Sequence, residues 1–376
     1  MAQHSVLVVG GCGFIGYHIV RHFVQAPDFS AVSVLSRSAA NSAHKVDGAN
    51  YVAGDLGDHG SLRHILEDLR PNVIIHAASP SPVTGTPKEY QKIAVDGTKN
   101  LLDIAKDLPE TRVLIYTSSS TMAKGREHLN LDESFPLADT DPKASAYART
   151  KAAAEVMVLN ANDPLPKADT GVDWSGHFCT GALRLPACYG THDTMSIPGC
   201  LQALEKGQTN VQLGDGKNLW DFCSTENAGA AHVLLARALL APRKDEDKID
   251  GEAFHIHDGQ PRPFWDYAKL VWKLAGHKKQ GERITSLPVW FVSGLAVVLE
   301  LLFWLFTFGQ KRPQTLGKQQ VEYACYTHTY NINKAKQRLG YVPMQDFEGE
   351  LAKGVKWSLE HDGWREKLQR AGVGNS

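Results

Sequence analysis

Short apolar runs alternate with stretches of helical spacing along the first part of the chain. Val6-Leu-Val-Val9, Ala31-Val-Ser-Val-Leu35, Tyr51-Val-Ala-Gly-Asp55-Leu56, Pro71-Asn-Val-Ile-Ile75 and Arg112-Val-Leu-Ile-Tyr116 are rich in β-branched residues. They read as strands buried on both sides. Helices are expected from the glycines after Val9 to about Gln25, from near Ser61, and from about Tyr90 through Lys106. Strand alternating with helix predicts an α/β fold with a doubly wound parallel sheet.

One further pattern departs from this alternation. From Leu287 to Phe308 the only charge is Glu300. A helix of about 22 residues reaches about 33 Å, enough to cross a hydrocarbon core. Arg283 precedes it, Lys311 and Arg312 follow, and Trp290 and Trp304 add interfacial character. Glu300 near the middle would cost a few kcal/mol in a true crossing. An in-plane or re-entrant helix, with Glu300 turned to protein or headgroups, is therefore expected. The alternative is a helix buried in the core or in an oligomer interface.

The strand ends carry the candidate chemistry. Gly10, Gly13 and Gly16 follow the spacing GxxGxxG between the first strand and its helix. Such glycines allow a tight turn, close backbone approach to a pyrophosphate and close helix–strand packing, and the helix start offers amide donors. The second strand ends in Ser36-Arg37-Ser38 rather than in the Asp or Glu that would hold a ribose 2′-hydroxyl. A hydroxyl and a guanidinium suit a 2′-phosphate, which favours NADP and leaves NAD usable. Asp55 is placed either to bind the adenine amino group or to cap the helix near Ser61. Thr117-Ser118-Ser119-Ser120-Thr121 puts a hydroxyl cluster at the open end of the fifth strand. Tyr147 and Lys151 stand four apart on a predicted helix, so they share a face. A phenol beside an ammonium ionises more readily and can exchange protons near neutral pH.

Composition narrows the classes. Lys and Arg total 40 against 41 Asp and Glu, a net charge of −1, which excludes the basic footprint of a nucleic-acid binder. Six scattered cysteines without CxxC pairs read as reduced thiols. His18 and His22 have helical i, i+4 spacing but no third ligand nearby in sequence, so no metal site is expected.

Together these motifs resemble an extended short-chain dehydrogenase/reductase with a Rossmann-type domain. Gly181-Ala-Leu-Arg184, Tyr189-Gly190, Asp221-Phe222, Asn227, Ala231-His232, Gly251-Glu-Ala-Phe254, Pro263-Phe-Trp-Asp266 and Tyr330-Asn-Ile-Asn333 resemble one branch. That branch holds the 3β-hydroxysteroid dehydrogenases and the decarboxylating sterol-4α-carboxylate 3-dehydrogenases. The resemblance implies a catalytic set of Ser119, Tyr147 and Lys151, with Ser118 or Thr121 as alternatives for the serine. It implies cofactor contacts from Gly10, Gly13, Phe14, Ile15, Gly16, Ser36, Arg37, Asp55, Leu56, Ala77, Tyr147, Lys151 and Pro186. Leu185 stands where relatives often carry proline, so a slightly different path after that strand is expected. The implied division is a cofactor domain over 1–190, with 224–256 returning to it, and a smaller substrate-binding region over 191–376. The implied reaction is oxidation of a 3β-hydroxyl on a sterol or triterpenoid, followed by decarboxylation where a 4α-carboxylate is present. A 3β-hydroxysteroid dehydrogenase/isomerase, a pathway-specific terpenoid dehydrogenase and a non-catalytic NADP sensor are the alternatives. Expected partners are the sterol or terpenoid and membrane lipid, no nucleic acid, with a homodimer left open. The expected location is the endoplasmic reticulum membrane, with the catalytic part facing the cytosol.

Overall fold

The computed structural model describes residues 3–163, 177–241, 248–278, 284–307 and 317–373. Seven strands form its main sheet: β1 (His4–Val9), β2 (Phe29–Ser36), β3 (Ala49–Ala53), β4 (Val73–His76), β5 (Val113–Ser119), β6 (Cys179–Leu185) and β7 (Glu252–His255). Their spatial order is β7-β6-β5-β4-β1-β2-β3, and every neighbouring pair is parallel. The strand period of two sorts the core into two layers. Val6, Val8, Ile75 and Ile115 pack with the helices Phe14–Gln25 and Thr225–Leu240. Leu7, Val9, Ile74 and Leu114 pack with His59–Leu69, Gly97–Asp107 and Ala146–Asn160. With helices on both faces, β4 and β5 are buried throughout, which accounts for apolar runs that do not alternate. This is the α/β, doubly wound parallel sheet expected from the sequence.

Two element boundaries moved. β5 was expected to stop at Tyr116, yet it runs to Ser119, because Thr117, Ser118 and Ser119 pair with Leu183, Arg184 and Leu185 of β6. Those polar side chains enter a buried strand because each hydroxyl finds a partner there. The helix expected from Tyr90 begins with the turn Pro87–Tyr90, widens into the π-helical segment Gln91–Asp96, and continues as Gly97–Asp107.

A smaller C-terminal region has its own apolar cluster. Tyr189, Ile197, Leu201, Phe222, Tyr267, Trp272, Phe347 and Val355 meet there, drawn from Ser196–Glu205, Phe264–Leu274, Phe347–His361 and the strands beside them. A four-stranded sheet joins His128–Leu131, Leu219–Trp220, Arg262–Pro263 and His328–Tyr330.

The apolar stretch forms the helix Val289–Thr307. Leu287 is not part of it: the strand Thr285–Leu287 pairs with Val211–Leu213, and Pro288 separates strand from helix. Of this helix only Val292 and Ala296 are buried, against Val321, Leu213 and Cys325, whereas Trp290 is 76% and Phe306 80% exposed. It is thus not a core helix of this chain. Glu300 turns to the protein, where its Oε1 accepts the Lys318 amide at 2.8 Å. Arg283, Phe308, Lys311 and Arg312 lie outside the described residues.

Candidate active site

The helix Ala146–Asn160 starts where the Ser145 hydroxyl accepts the Ala148 amide at 3.1 Å, and alanines let it lie close to the sheet. Tyr147, Lys151 and Glu155 succeed one another at i, i+4 and i+8, one stripe facing β5. Lys151 is buried; its Nζ donates to the Thr117 carbonyl at 2.7 Å and sits 4.3 Å from the centre of the Tyr116 ring. Desolvation pushes its ammonium down to about 7, and the Glu155 carboxylate acts the other way. Glu155 is itself fully buried and forked by Arg184, with Nη2 donating to Oε1 at 2.6 Å and Nε at 3.1 Å.

The serine cluster sorts itself by partner. Thr117 Oγ1 meets His232 at 2.8 Å, Ser118 Oγ meets the Met122 sulfur at 3.3 Å, and Ser120 Oγ lies 2.9 Å from His255 Nδ1. Ser119 is the member whose hydroxyl acts on the Tyr147 phenol, and its Oγ lies 2.9 Å from Thr121 Oγ1. The structure therefore brings Ser119, Tyr147 and Lys151 together and turns Ser118 elsewhere. It differs from the sequence reading in one respect. Burial pushes the Tyr147 phenol up, with the Ser119 hydrogen bond opposing, and Lys151 is not the group that lowers it here. The physical reason is placement, since the ammonium is held on the Thr117 carbonyl.

Beside this stripe a cleft of about 380 Å³ opens over the C-terminal ends of β1, β2 and β4. This is where the strand order reverses, the place where open sheets of this kind bind ligands. Gly10, Gly13, Ser36, Arg37, Asp55, Leu56 and Ala77 line it. Gly10 has φ +87°, and a Cβ there would lie 2.6 Å from the Ala78 amide nitrogen, so only glycine lets the chain turn between β1 and β4. Helix Phe14–Gln25 begins at Gly13 with no side-chain cap, leaving its first amides for an anion. These features fit a dinucleotide. Gly16 closes the helix against the Gly10 carbonyl, while the Phe14 and Ile15 side chains pack on the core rather than line the cleft. Pro186 is also off the cleft lining: it follows β6, after which Ala187–Tyr189 starts a separate pairing with Phe222–Ser224. The exposed Arg37 acts electrostatically on both Asp55 and Glu89. Asp55 is not the helix cap, which is Asp58 accepting the Ser61 amide at 3.1 Å. Asp55 instead accepts the Gly57 amide at 2.9 Å, which holds its carboxyl below the usual range.

The profile of the 3-beta hydroxysteroid dehydrogenase/isomerase family matches residues 7–289. The chain belongs to this family. A sterol-4-alpha-carboxylate 3-dehydrogenase, decarboxylating, of Saccharomyces cerevisiae is 33% identical over 363 residues, covering 95% of this chain and 98% of its own. The Homo sapiens protein of the same name is 28% identical, over 94% of this chain and 88% of its own. Among solved structures, gox2253 superposes with a TM-score of 0.71 at 19% identity, covering 96% of this chain and 99% of that one. DesIV, a dTDP-glucose 4,6-dehydratase from Streptomyces venezuelae solved with NAD, superposes at 0.68 with 22% identity, covering 97% and 99%. These two likenesses show the fold. In this family member the sequence reading passed over Glu155, Arg184's fork, Thr117's carbonyl and the cleft residues Ser81 and Glu89. Glu155 had a signal, its place four residues past Lys151. His18 and His22, unmatched in sequence, meet Glu226 across the fold at 3.9 and 3.2 Å.

Proposed function

We propose that the protein oxidises the 3β-hydroxyl of a sterol or triterpenoid, with a 4α-carboxysterol as the preferred substrate and loss of CO2 following. The observation that carries this is Tyr147 one helical turn from Lys151, whose Nζ is fixed on the Thr117 carbonyl at the Ser119 end of β5, beside a dinucleotide cleft. The names and near full-length coverage of the sterol-4-alpha-carboxylate dehydrogenase relatives support the substrate. A nicotinamide dinucleotide held in the cleft by Gly10, Gly13, Ser36 and Arg37 would supply the acceptor for the hydride that leaves the carbinol carbon. Tyr147 takes the hydroxyl proton, Lys151 would hold the nicotinamide ribose, and Ser119 orients the substrate oxygen. The new ketone is β to the carboxylate. As the bond to CO2 breaks, its electron pair moves to the ketone oxygen, where the Ser119 and Tyr147 hydroxyls donate.

The cofactor reading is NADP with NAD usable, supported by Ser36 and Arg37 on the cleft wall and the lack of an acid at the end of β2. For the domains we propose residues 1–190 with 224–256 as the cofactor unit and 191–376 as the substrate region. The apolar helix is proposed to lie in the plane of the endoplasmic reticulum membrane, with the enzyme on the cytosolic side. Strand pairing just before it, by Thr285–Leu287, and beyond it, by His328–Tyr330, ties both flanks to one body and supports this over a crossing.

Tyr147→Phe tests the reaction. Cofactor binding is expected to persist while turnover of a 4α-carboxysterol falls by about 10²-fold or more. Near-normal turnover in that variant removes Tyr147 from the mechanism.

A further inference from the structure

Thr117 is held from both faces of the main sheet. Its carbonyl accepts from Lys151 Nζ at 2.7 Å, on the face covered by Ala146–Asn160. Its hydroxyl lies 2.8 Å from Nε2 of His232, which belongs to Thr225–Leu240 on the opposite face. His232 is fully buried, and its Nδ1 stands 2.7 Å from the Ala228 carbonyl. A carbonyl only accepts, so Nδ1 carries the ring proton and Nε2 is left bare. The Thr117 hydroxyl therefore donates to Nε2. Burial pushes the imidazole down to about 4, so the ring stays neutral and keeps this tautomer near neutral pH. β4 ends at His76, opposite Tyr116, and beyond that point β5 pairs with β6 alone. Thr117 thus sits where the strand has lost one neighbour and its backbone has fewer constraints.

We propose that His232 is a positioning residue for Lys151, acting through Thr117. The inference rests on the proposed role of Lys151 in holding the nicotinamide ribose. Lysine carries its charge on a flexible four-carbon stem, so its ammonium keeps one position only if its acceptor does. Among the described residues the Thr117 carbonyl is the acceptor that Lys151 Nζ meets. With its hydroxyl fixed on His232, Thr117 cannot turn, and the carbonyl stays aimed at the ammonium. Other groups around the pair act through space. Glu155 on the same helix, the Tyr116 ring on β5 and His76 on β4 surround Lys151, and His22 of Phe14–Gln25 bears on His232. None of them fixes the carbonyl. The helix Thr225–Leu240 therefore reaches the cofactor site from behind the sheet, without touching the cleft.

Fluorescence titration of the full-length protein tests this without turnover, using whichever of NADPH and NADH binds the wild type more tightly. Thr117→Val keeps the shape and removes the donor. It is expected to weaken cofactor binding about fivefold, the scale of one neutral hydrogen bond. A hydrogen bond to the charged form raises the pKa of an ammonium, so loosening it lowers that pKa. The alkaline limb of cofactor binding should therefore move to acid by about half a unit. Thr117→Ser keeps the hydroxyl and is expected to bind as the wild type does. Thr117→Val with His232→Phe strands no polar side chain, so a merely structural pair would recover both melting temperature and affinity. The positioning role predicts recovery of the melting temperature alone, with the weaker binding and the displaced limb remaining. Full recovery of affinity in that double variant, unaltered affinity in Thr117→Val, or an equal loss in Thr117→Ser overturns the proposal. A wild-type enzyme that binds cofactor yet leaves a 4α-carboxysterol unreacted would count against the proposed reaction, and the titration would still decide the role of His232.

Discussion

Lys151 depends on a carboxylate it does not touch, and removing that charge should move the pH range of the enzyme. Glu155 stands one turn further along the same face, about 6 Å away by helix geometry. At an effective dielectric near 20, a full charge there stabilises the ammonium by about 2.8 kcal/mol, or roughly two pH units. The Arg184 fork offsets part of this, so about one unit is the working figure. Glu155→Gln alone would strand the buried Arg184 charge, a change that costs about 3–5 kcal/mol of stability. Glu155→Gln with Arg184→Met removes both charges and keeps the packing. Lys151 is ammonium below about 7 and neutral above it. The ratio kcat/KM for the cofactor reports the free enzyme, so it should be full on the acid side and fall as pH rises through that value. In the double variant the fall should begin about one unit lower, leaving the ratio near pH 7.5 roughly eightfold below wild type. A folded double variant whose alkaline limb has not moved would refute the electrostatic role of Glu155.

Ser36→Asp should swing preference toward NAD, since it adds an acceptor for the 2′-hydroxyl and repels a 2′-phosphate; higher wild-type kcat/KM with NAD than with NADP would overturn the reading of this strand end. Full-length protein should pellet with membranes and resist high-salt extraction, and its tail should be cleaved by protease from the cytosolic side; a protected tail would show a crossing. Gly10→Ala should weaken binding of both NAD and NADP and lower the melting temperature, because it forces a side chain into the left-handed region and against Ala78; unaltered cofactor affinity would sever the turn from the cleft.

The parallel sheet was legible because its strands are buried on both faces, so Val6–Val9 and Val73–Ile75 stand out as unbroken apolar runs. The glycine turn and the Tyr147/Lys151 pair were legible for a local reason, that each is read within a few residues. What remained hidden depends on residues distant in sequence. Arg184 reaches Glu155 from another strand, and Asp58 rather than Asp55 caps the helix because the backbone turns after Ala53. The upward push on the Tyr147 phenol could not be read from spacing either, since it comes from burial by the surrounding fold. Glu300 was expected to turn to protein or headgroups, but its partner, a backbone amide eighteen residues on, has no signature in the sequence.

The outermost strand of the main sheet is also a matter of timing. β7 is supplied by residues 252–255, long after β6, and a chain emerging from the ribosome exposes the outer edge of β6 until then. Such an edge is a template for pairing with another chain, so the stretch between Leu185 and Glu252 sets a window of vulnerability to misassembly. The helix Thr225–Leu240, which covers one face of the same sheet, leaves the ribosome inside that window. The apolar helix comes later still. Synthesis in this order allows the main sheet to close before the apolar helix exists, and any truncation ahead of residue 256 leaves an open-edged, aggregation-prone species.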